Sequence, residues 1–394
     1  MTPAASRRIG SLAASISGFM DFLTLPHMQR RFGPASCDFV FGNPHEPVPS
    51  GYVEALQKAL VPQDKNWFAY KLNEPEATSV VAGSLSRQRG RRFTADQIVM
   101  TNGTFAGLSI VLNTFVDPGD EVIYISPPWF FYEVLILAAG GVPVRVDADR
   151  TTFDLDVEAI ASAVSERTRA IIVNSPNNPT GVVYPAATLQ QLARVLRAGS
   201  DKSGRPIYLF SDEAYNHIVF DGGAYPSPTD YYDHSLLLYT YGKTLLTPGE
   251  RLGYIAVSPT MPELPEVLGA LFIAQAITGW AFPVASLQHA LADIEDLSID
   301  IAHLQGKRDR MLTGLREAGY QVNKPEGTFY LLVRCPWPDD LAFCLALAEQ
   351  DVFVLPGSTF ELPGYCRISL TANDEMIERS MPVFRRLRSR PAPE

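Results

Sequence analysis

The sequence predicts an α/β protein: a large domain on a mostly parallel sheet of the seven-stranded type, covered by helices, followed by a smaller α+β domain. Three observations lead there. Short apolar runs recur between residues 98 and 257, several without a polar residue, as in strands buried on both faces. Each run is followed by a polar or glycine-rich stretch, and most then lead into a helical segment, the alternation that builds a parallel sheet between helices. After about residue 285 the pattern changes to a long helical stretch and then shorter strands and helices. On this reading residues 1–50 form an N-terminal arm and part of the smaller domain, 51–285 the large domain, and 286–394 the rest of the smaller one.

Composition narrows the function. The 394 residues are 46% hydrophobic and 19% charged, ordinary for a globular chain. The net charge of −10, with no dense basic stretch, argues against a nucleic-acid partner. No apolar stretch approaches the length of a membrane span or of a secretory signal. Cys37, Cys335, Cys344 and Cys366 are scattered with no CxxC, which fits reduced thiols and a cytoplasmic location. The six histidines show no pair at metal-ligand spacing, so no metal is expected. Motifs for a serine hydrolase, a P-loop NTPase and a dinucleotide fold are absent.

Taken in order, Ile16 to Leu25 is largely apolar at irregular spacing and reads as a packing arm. Phe39-Val40-Phe41 reads as a strand that stops at Gly42, where backbone can approach a ligand closely. A helix is expected from Tyr52 to Leu60, then an aromatic cluster, Trp67-Phe68-Ala69-Tyr70, in a polar loop, then a helix from Glu76 to Arg89. The strand Ile98–Thr101 turns through Asn102, Gly103, Thr104 and Phe105 into a helix reaching Phe115. A glycine turn before a helix N-terminus leaves free N–H groups for an anion; a plain strand–helix joint would look the same. The strand Glu121–Ile125 ends at Pro127-Pro128-Trp129, where the indole can lie on a flat ligand. Val142–Val146 is a further strand. Ala170–Val173 ends in the turn formers Asn174 to Gly181 and precedes a helix from Ala187 to Leu196. Ile207–Phe210 ends in Ser211-Asp212-Glu213-Ala214-Tyr215, and Ser235–Tyr239 leads to Lys243. A long helical stretch from Val284 to Gly319 opens the smaller domain, followed by Gly327–Val333, Val352–Gly357 and Cys366–Leu370.

In a sheet of this kind ligands sit beyond the carboxyl ends of the strands. Asn102 to Phe105, Trp129, Asn178, Asp212 and Lys243 all fall there. A lysine between two apolar runs, beside Thr240 and Arg251, suits capture of a carbonyl cofactor as a Schiff base next to a phosphate, although most lysines simply sit in water. With a pyridine aldehyde phosphate in that place, Lys243 forms the carbon–nitrogen double bond and Asp212 pairs with the ring nitrogen, making the ring an electron sink. Asn178 and Tyr215 reach the ring hydroxyl, and Trp129 stacks on its face. Thr240, Arg251 and the N–H groups from Gly103 to Phe105 hold the phosphate. Asp212 could instead be a helix cap, and Arg367 a surface ion pair rather than a clamp for a substrate carboxylate.

Asn178-Pro179-Thr180-Gly181, Ser211-Asp212-Glu213-Ala214-Tyr215, Lys243 with Arg251 and Gly253, and Cys366-Arg367-Ile368-Ser369 together resemble the class I/II aminotransferases, pyridoxal-phosphate enzymes of fold type I, over roughly residues 39–370. The resemblance implies a homodimer whose two active sites lie at the subunit interface. It implies that Tyr70 reaches the phosphate in the other subunit and that Gly42 touches the substrate. Two departures stand out: Thr240-Tyr241-Gly242-Lys243 replaces a common Ser-x-Ser-Lys, and Asn73-Glu74-Pro75 stands where a glycine is usual after the tyrosine.

The activity implied is transfer of the α-amino group of an L-amino acid to a 2-oxo acid such as 2-oxoglutarate. Lys243 serves as base and then acid, and Arg367 holds the carboxylate. Trp67, Phe68, Tyr70, Trp280 and Phe282 point to an aromatic-lined pocket and a neutral or aromatic donor, with aspartate as the alternative. Another pyridoxal-phosphate reaction on the same scaffold, β-elimination, γ-substitution or oxidative deamination, would use the same residues.

Overall fold

A computed structural model describes residues 5–392. Its strands, in chain order, are β1 (Cys37–Asp38), β2 (Ile98–Thr101), β3 (Glu121–Ser126), β4 (Val142–Asp147), β5 (Thr168–Asn174), β6 (Tyr208–Asp212), β7 (Ser235–Thr240), β8 (Gly253–Val257), β9 (Tyr330–Arg334), β10 (Val352–Phe353), β11 (Leu355–Pro356) and β12 (Tyr365–Ser369). Seven of them form one sheet in the order β2-β8-β7-β6-β5-β3-β4. β7, β6, β5, β3 and β4 are parallel, and β8 runs antiparallel to both its neighbours, β2 and β7. The expected α/β architecture is therefore the one observed.

The apolar runs form strands here because both sheet faces are covered. Leu236 and Leu238 of β7, with Ile255 of β8, meet Leu108, Val111 and Leu112 of the helix Gly103–Phe115 in one apolar cluster. Leu237 of the same strand points the other way, into a cluster with Val81 and Leu85 of the helix Pro75–Arg89. Each such leucine contributes about 2 kcal/mol on burial. Away from β7, Ile171, Val173 and Leu209 pack on Leu189, Leu192 and Leu196 of the helix Ala186–Ser203.

The C-terminal part is built on the antiparallel sheet β11-β12-β9. β1 pairs in parallel with β10, and Phe39 extends the contact: its N–H donates to Phe353 O at 2.8 Å and its carbonyl accepts from Ser369 N at 2.9 Å. The chain before residue 42 is thereby stitched to strands more than three hundred residues later.

Three expectations need correction. The stretch from Val284 to Gly319 is not one helix but three, Ala285–His289, Leu291–Ile294 and Ile301–Glu317. Its apolar spacing continues, but Ile299 N donates to Thr244 O at 2.8 Å, drawing the chain onto the lysine turn, and Asp300 then caps the third helix by accepting from His303 N at 3.0 Å. The strand expected at Phe39–Phe41 lies two residues earlier, at Cys37–Asp38, because the partner edge is offered by Val352 and Phe353. The aromatic run after Trp129 enters a helix, Tyr132–Ala138, which alternation alone did not indicate.

One ion pair locks the end of β6 from below. Arg89, closing the helix Pro75–Arg89, donates to Glu213 at 2.7 Å with both side chains buried. Glu213 also accepts from Ser211 Oγ at 3.0 Å, from Asn216 Nδ2 at 3.2 Å and from Ser227 Oγ. Removing one partner of such a pair leaves an uncompensated interior charge, so Arg89→Ala is expected to destabilise the fold by about 3–5 kcal/mol. Urea unfolding of wild type and variant checks this; an unchanged midpoint would refute it.

Candidate active site

The strand directions bring the site together. β2, β3, β5, β6 and β7 all finish at one edge, delivering Asn102, Pro127, Ser175, Glu213 and Tyr241 as the first residues past their ends. β8 runs the opposite way, so its beginning lies at that edge and Arg251 arrives just before it. Gly253 of β8 sits between Thr101 and Thr240 in the register. A cavity of about 570 Å³ opens there, lined by Thr104, Phe105, Trp129, Asn178, Asp212, Tyr215, Thr240, Lys243, Arg251 and Trp280, among others. The residues expected from sequence to hold the cofactor, Tyr70 apart, meet at this point, Gly103 included: a Cβ on Gly103 would stand 2.8 Å from Arg251 Nη2 and 3.2 Å from Thr240 Oγ1. Gly103 also adopts φ of 81°, which a side chain would strain.

One end of the cavity is an anion cup. The helix Gly103–Phe115 starts there with no side-chain cap from Asn102, leaving first-turn N–H groups for an acceptor. Thr104 Oγ1 and Asn102 Oδ1 are buried without a hydrogen-bond partner. Arg251 lies in the left-handed region at φ 50°, a strain of order 1 kcal/mol for a non-glycine residue, and its Nη1 donates to Pro248 O at 2.8 Å. Burial lowers its pKa from the usual arginine value.

At the other end lies Asp212. Its Oδ2 accepts from the Tyr132 hydroxyl at 2.6 Å, and its Oδ1 from Ala214 N at 3.3 Å. No helix follows Asp212, so the helix-cap alternative does not hold. Complete burial raises its pKa to about 6, against the lowering effects of Tyr132, Ala214 N–H and Lys243. Asn174 braces the two adjoining strand ends: its Nδ2 donates to Asp212 O at 2.9 Å and its Oδ1 accepts from Asn178 N at 2.7 Å. The Lys243 ammonium lies 5.6 Å from the ring centre of Tyr215 and 5.7 Å from that of Phe329.

Arg367 is buried and not on the surface. It donates from Nη1 to Asn178 Oδ1 at 2.8 Å and from Nη2 to Val40 O at 2.9 Å, while its Nε has no partner. It does not line the cavity itself but reaches it through Asn178. Gly42 lies against the same group: a Cβ there would fall 2.6 Å from Phe329 and 2.9 Å from the Tyr330 hydroxyl. Tyr70 stands apart, 88% exposed, touching Phe282 with ring centres 5.0 Å apart.

The expected aromatic pocket needs revision. Of Trp67, Phe68, Tyr70, Trp280 and Phe282, only Trp280 lines the cavity. Trp67 stacks on His289 at 3.5 Å and donates Nε1 to Ala59 O at 2.8 Å, which makes it a packing residue. Phe68, Tyr70 and Phe282 are exposed. The aromatic walls come instead from Phe105 and Trp129, edge to face at 5.1 Å, with Trp280. Sequence reasoning missed Asn174, Tyr132 and Tyr330. Asn174 is legible as the first polar residue after the apolar run Ala170–Val173. Tyr132 lay hidden in an aromatic run, with nothing to show that its hydroxyl aims at a carboxylate.

The raised pKa of Asp212 has a definite sign. The folded protein holds a proton on this carboxyl up to about pH 6, whereas the unfolded chain releases it near 3.8. Stability of the ligand-free protein therefore falls as pH rises through that window. Asp212→Asn removes the ionisation, so the variant's urea midpoint, relative to wild type, is expected to gain between pH 4 and pH 7. A difference that stays flat across that range would contradict this.

Comparison with known proteins agrees with this geometry. The family model "Aminotransferase class I and II" matches residues 40–382. An aspartate/prephenate aminotransferase from Thermus thermophilus is 31% identical, the match covering 98% of this chain and 99% of that protein. Among solved structures, an amino transferase from Eubacterium rectale superposes with a TM-score of 0.89 at 32% identity, covering 98% of both chains. An aspartate aminotransferase from Thermus thermophilus with maleate superposes with a TM-score of 0.84 at 29% identity, covering 98% of this chain and all of that one. This chain belongs to the class I and II aminotransferases, enzymes that move amino groups with pyridoxal 5′-phosphate.

Proposed function

We propose that this transaminase takes a neutral or aromatic L-amino acid as donor and a 2-oxo acid such as 2-oxoglutarate as acceptor. The observation that carries the donor class is the charge of the cavity wall. Among the described residues its cations are Lys243 and Arg251, and its broad surfaces are Phe105, Trp129 and Trp280. Arg251 stands beside Gly103 and Thr240 in the anion cup, and Arg367 is reserved for the α-carboxylate. No cation of the cavity wall is left for a second carboxylate, and an aromatic side chain gains from the rings. Aspartate is the competing reading, because several relatives are named aspartate or aspartate/prephenate aminotransferases.

The unpartnered Thr104 hydroxyl, the side-chain-free space at Gly103 and the buried Asp212 carboxylate fit pyridoxal phosphate. Thr240, Thr104, Arg251 and the N–H groups from Gly103 to Phe105 would hold its phosphate, and Trp129 would stack on its ring. Asn178 and Tyr215 bind its ring oxygen and Asp212 its ring nitrogen. When bound, the cofactor supplies the electron sink that makes the donor's α-proton removable. Lys243 Nζ takes that proton and later returns it. Arg367 and Asn178, already hydrogen-bonded to each other, orient the carboxylate, with the backbone at Gly42 alongside. The mostly apolar wall limits the water that can compete for the proton.

We further propose a homodimer in which Tyr70 completes the partner's phosphate cup. Tyr70, Phe68 and Phe282 stand exposed, as do Phe272, Ile273 and Ile277 on the helix Leu264–Ile277, more large apolar side chains than a lone chain usually leaves together in water. The division into 1–50, 51–285 and 286–394 suits this arrangement, with the shared site on the large domain. Four buried, unpaired cysteines support a reducing, cytoplasmic setting.

Two measurements test the reading. With 2-oxoglutarate as acceptor, kcat/KM for phenylalanine, tyrosine or leucine is expected to exceed that for aspartate by about tenfold or more, the scale of one mismatched pocket contact; the reverse order would overturn the donor class. Replacing both Ile273 and Ile277 with glutamate is expected to yield monomers in analytical ultracentrifugation with weakened cofactor retention. A variant that stays dimeric and holds cofactor normally would remove the proposed interface.

A further inference from the structure

Tyr330, the first residue of β9, is buried beside the site but does not line the cavity. It touches two residues that have different tasks. Its ring face lies 4.0 Å from the guanidinium carbon of Arg367. Its hydroxyl accepts from the Tyr215 hydroxyl at 3.5 Å, a long bond that leaves the Tyr215 proton open to a better acceptor. Gly42 leaves the space in which that hydroxyl sits, since a Cβ there would approach within 2.9 Å.

The charged and titratable groups around this pair come from three strands and the segments that follow them. Arg367 belongs to β12, Lys243 follows β7, Asp212 ends β6, and Tyr215 lies just beyond it. Burial raises the Tyr215 phenol, and the Tyr330 oxygen beside it adds to the rise. Burial would raise Tyr330 too, but Arg367 and Lys243 outweigh it and hold that phenol below its ordinary value. The oxygen of Tyr330 faces the single proton of Tyr215 and is the acceptor that any other oxygen placed before that phenol must compete with.

We propose that Tyr330 is a positioning residue with two separable tasks: its ring fixes Arg367 for the donor's carboxylate, and its hydroxyl competes for the Tyr215 proton and so limits how strongly Tyr215 binds the cofactor's ring oxygen. The proposal rests on the roles given above to Arg367 and Tyr215. Loss of the competing acceptor gives the whole Tyr215 proton to the ring oxygen. That stabilises the negative charge left when the bound cofactor loses its exchangeable proton, which then leaves at lower pH.

The test uses the holoenzyme and two substitutions. Tyr330→Phe keeps the ring under Arg367: donor KM is expected within about twofold of wild type, while the pH midpoint of the cofactor's visible absorbance change falls by about half a unit or more. Tyr330→Leu loses both contacts: the same absorbance shift is expected, now with KM raised about fivefold or more, the scale of a buried cation–π contact. An unmoved absorbance midpoint in Tyr330→Phe, or an unchanged KM in Tyr330→Leu, overturns the proposal. Arg367→Ala and Tyr215→Phe run alongside separate the two levels. If they leave KM and absorbance untouched, the underlying roles fail; if they change them while the Tyr330 variants do not, only the proposal fails.

Discussion

A carboxylate held in an interior that disfavours its charge is the constraint on which this site turns. Asp212 and Glu213 are neighbours at the end of β6, both buried, and the fold treats them in opposite ways. Glu213 receives a guanidinium and a set of side-chain donors and is fully satisfied. Asp212 receives one phenol, one long backbone bond and a lysine at a distance. A buried anion so lightly compensated is unfavourable in the free protein and favourable once a cation arrives. In the proposed arrangement the protonated ring nitrogen of pyridoxal phosphate would be such a cation, and the incomplete pairing would then contribute both to binding and to electronic control. The well-paired Glu213 supplies the rigidity that keeps its neighbour in place.

The reversed strand β8 solves a second problem, that of bringing cations to the same edge. In an all-parallel sheet each strand sends one end to the ligand. Here β8 enters from the ligand side, so the segment between β7 and β8 passes through the site with Lys243 near its start and Arg251 near its finish. Arg251 lies in the left-handed region, and the missing side chain at Gly103 leaves its guanidinium room. Strain and space coincide: the backbone outlier lies where Gly103 leaves room for the guanidinium.

The third contribution comes from the seam between the two parts of the chain. Arg367 stands on the small antiparallel sheet, yet it bonds Asn178 at the end of β5 and the carbonyl of Val40 near the N-terminus. Movement of the C-terminal part relative to the large sheet would therefore move Arg367 and its bond to Asn178. Phe329, Tyr330 and Gly42 fill that seam closely enough that a single methyl group at residue 42 would collide with the Phe329 ring and the Tyr330 hydroxyl.

The sequence by itself determined the sheet, because runs such as Leu236-Leu237-Leu238 are stable only when covered on both faces, and polar residues follow them where those strands end. It also determined most of the site, since Asp212, Asn178, Lys243 and Gly103 all sit at or just past those interruptions. The helical breaks at Ala290 and Ile299 were not legible, because apolar spacing continues through them and a distant bond to Thr244 decides the matter. Nor was the fate of the aromatics: Trp67 and Trp129 carry the same ring in comparable loops, but one is stacked on His289 while the other walls the cavity. Only the tertiary structure decided which hydroxyls matter. A phenol's value lies in what its oxygen meets, and Tyr132 and Tyr330 meet Asp212 and Tyr215 across 80 and 115 residues of chain.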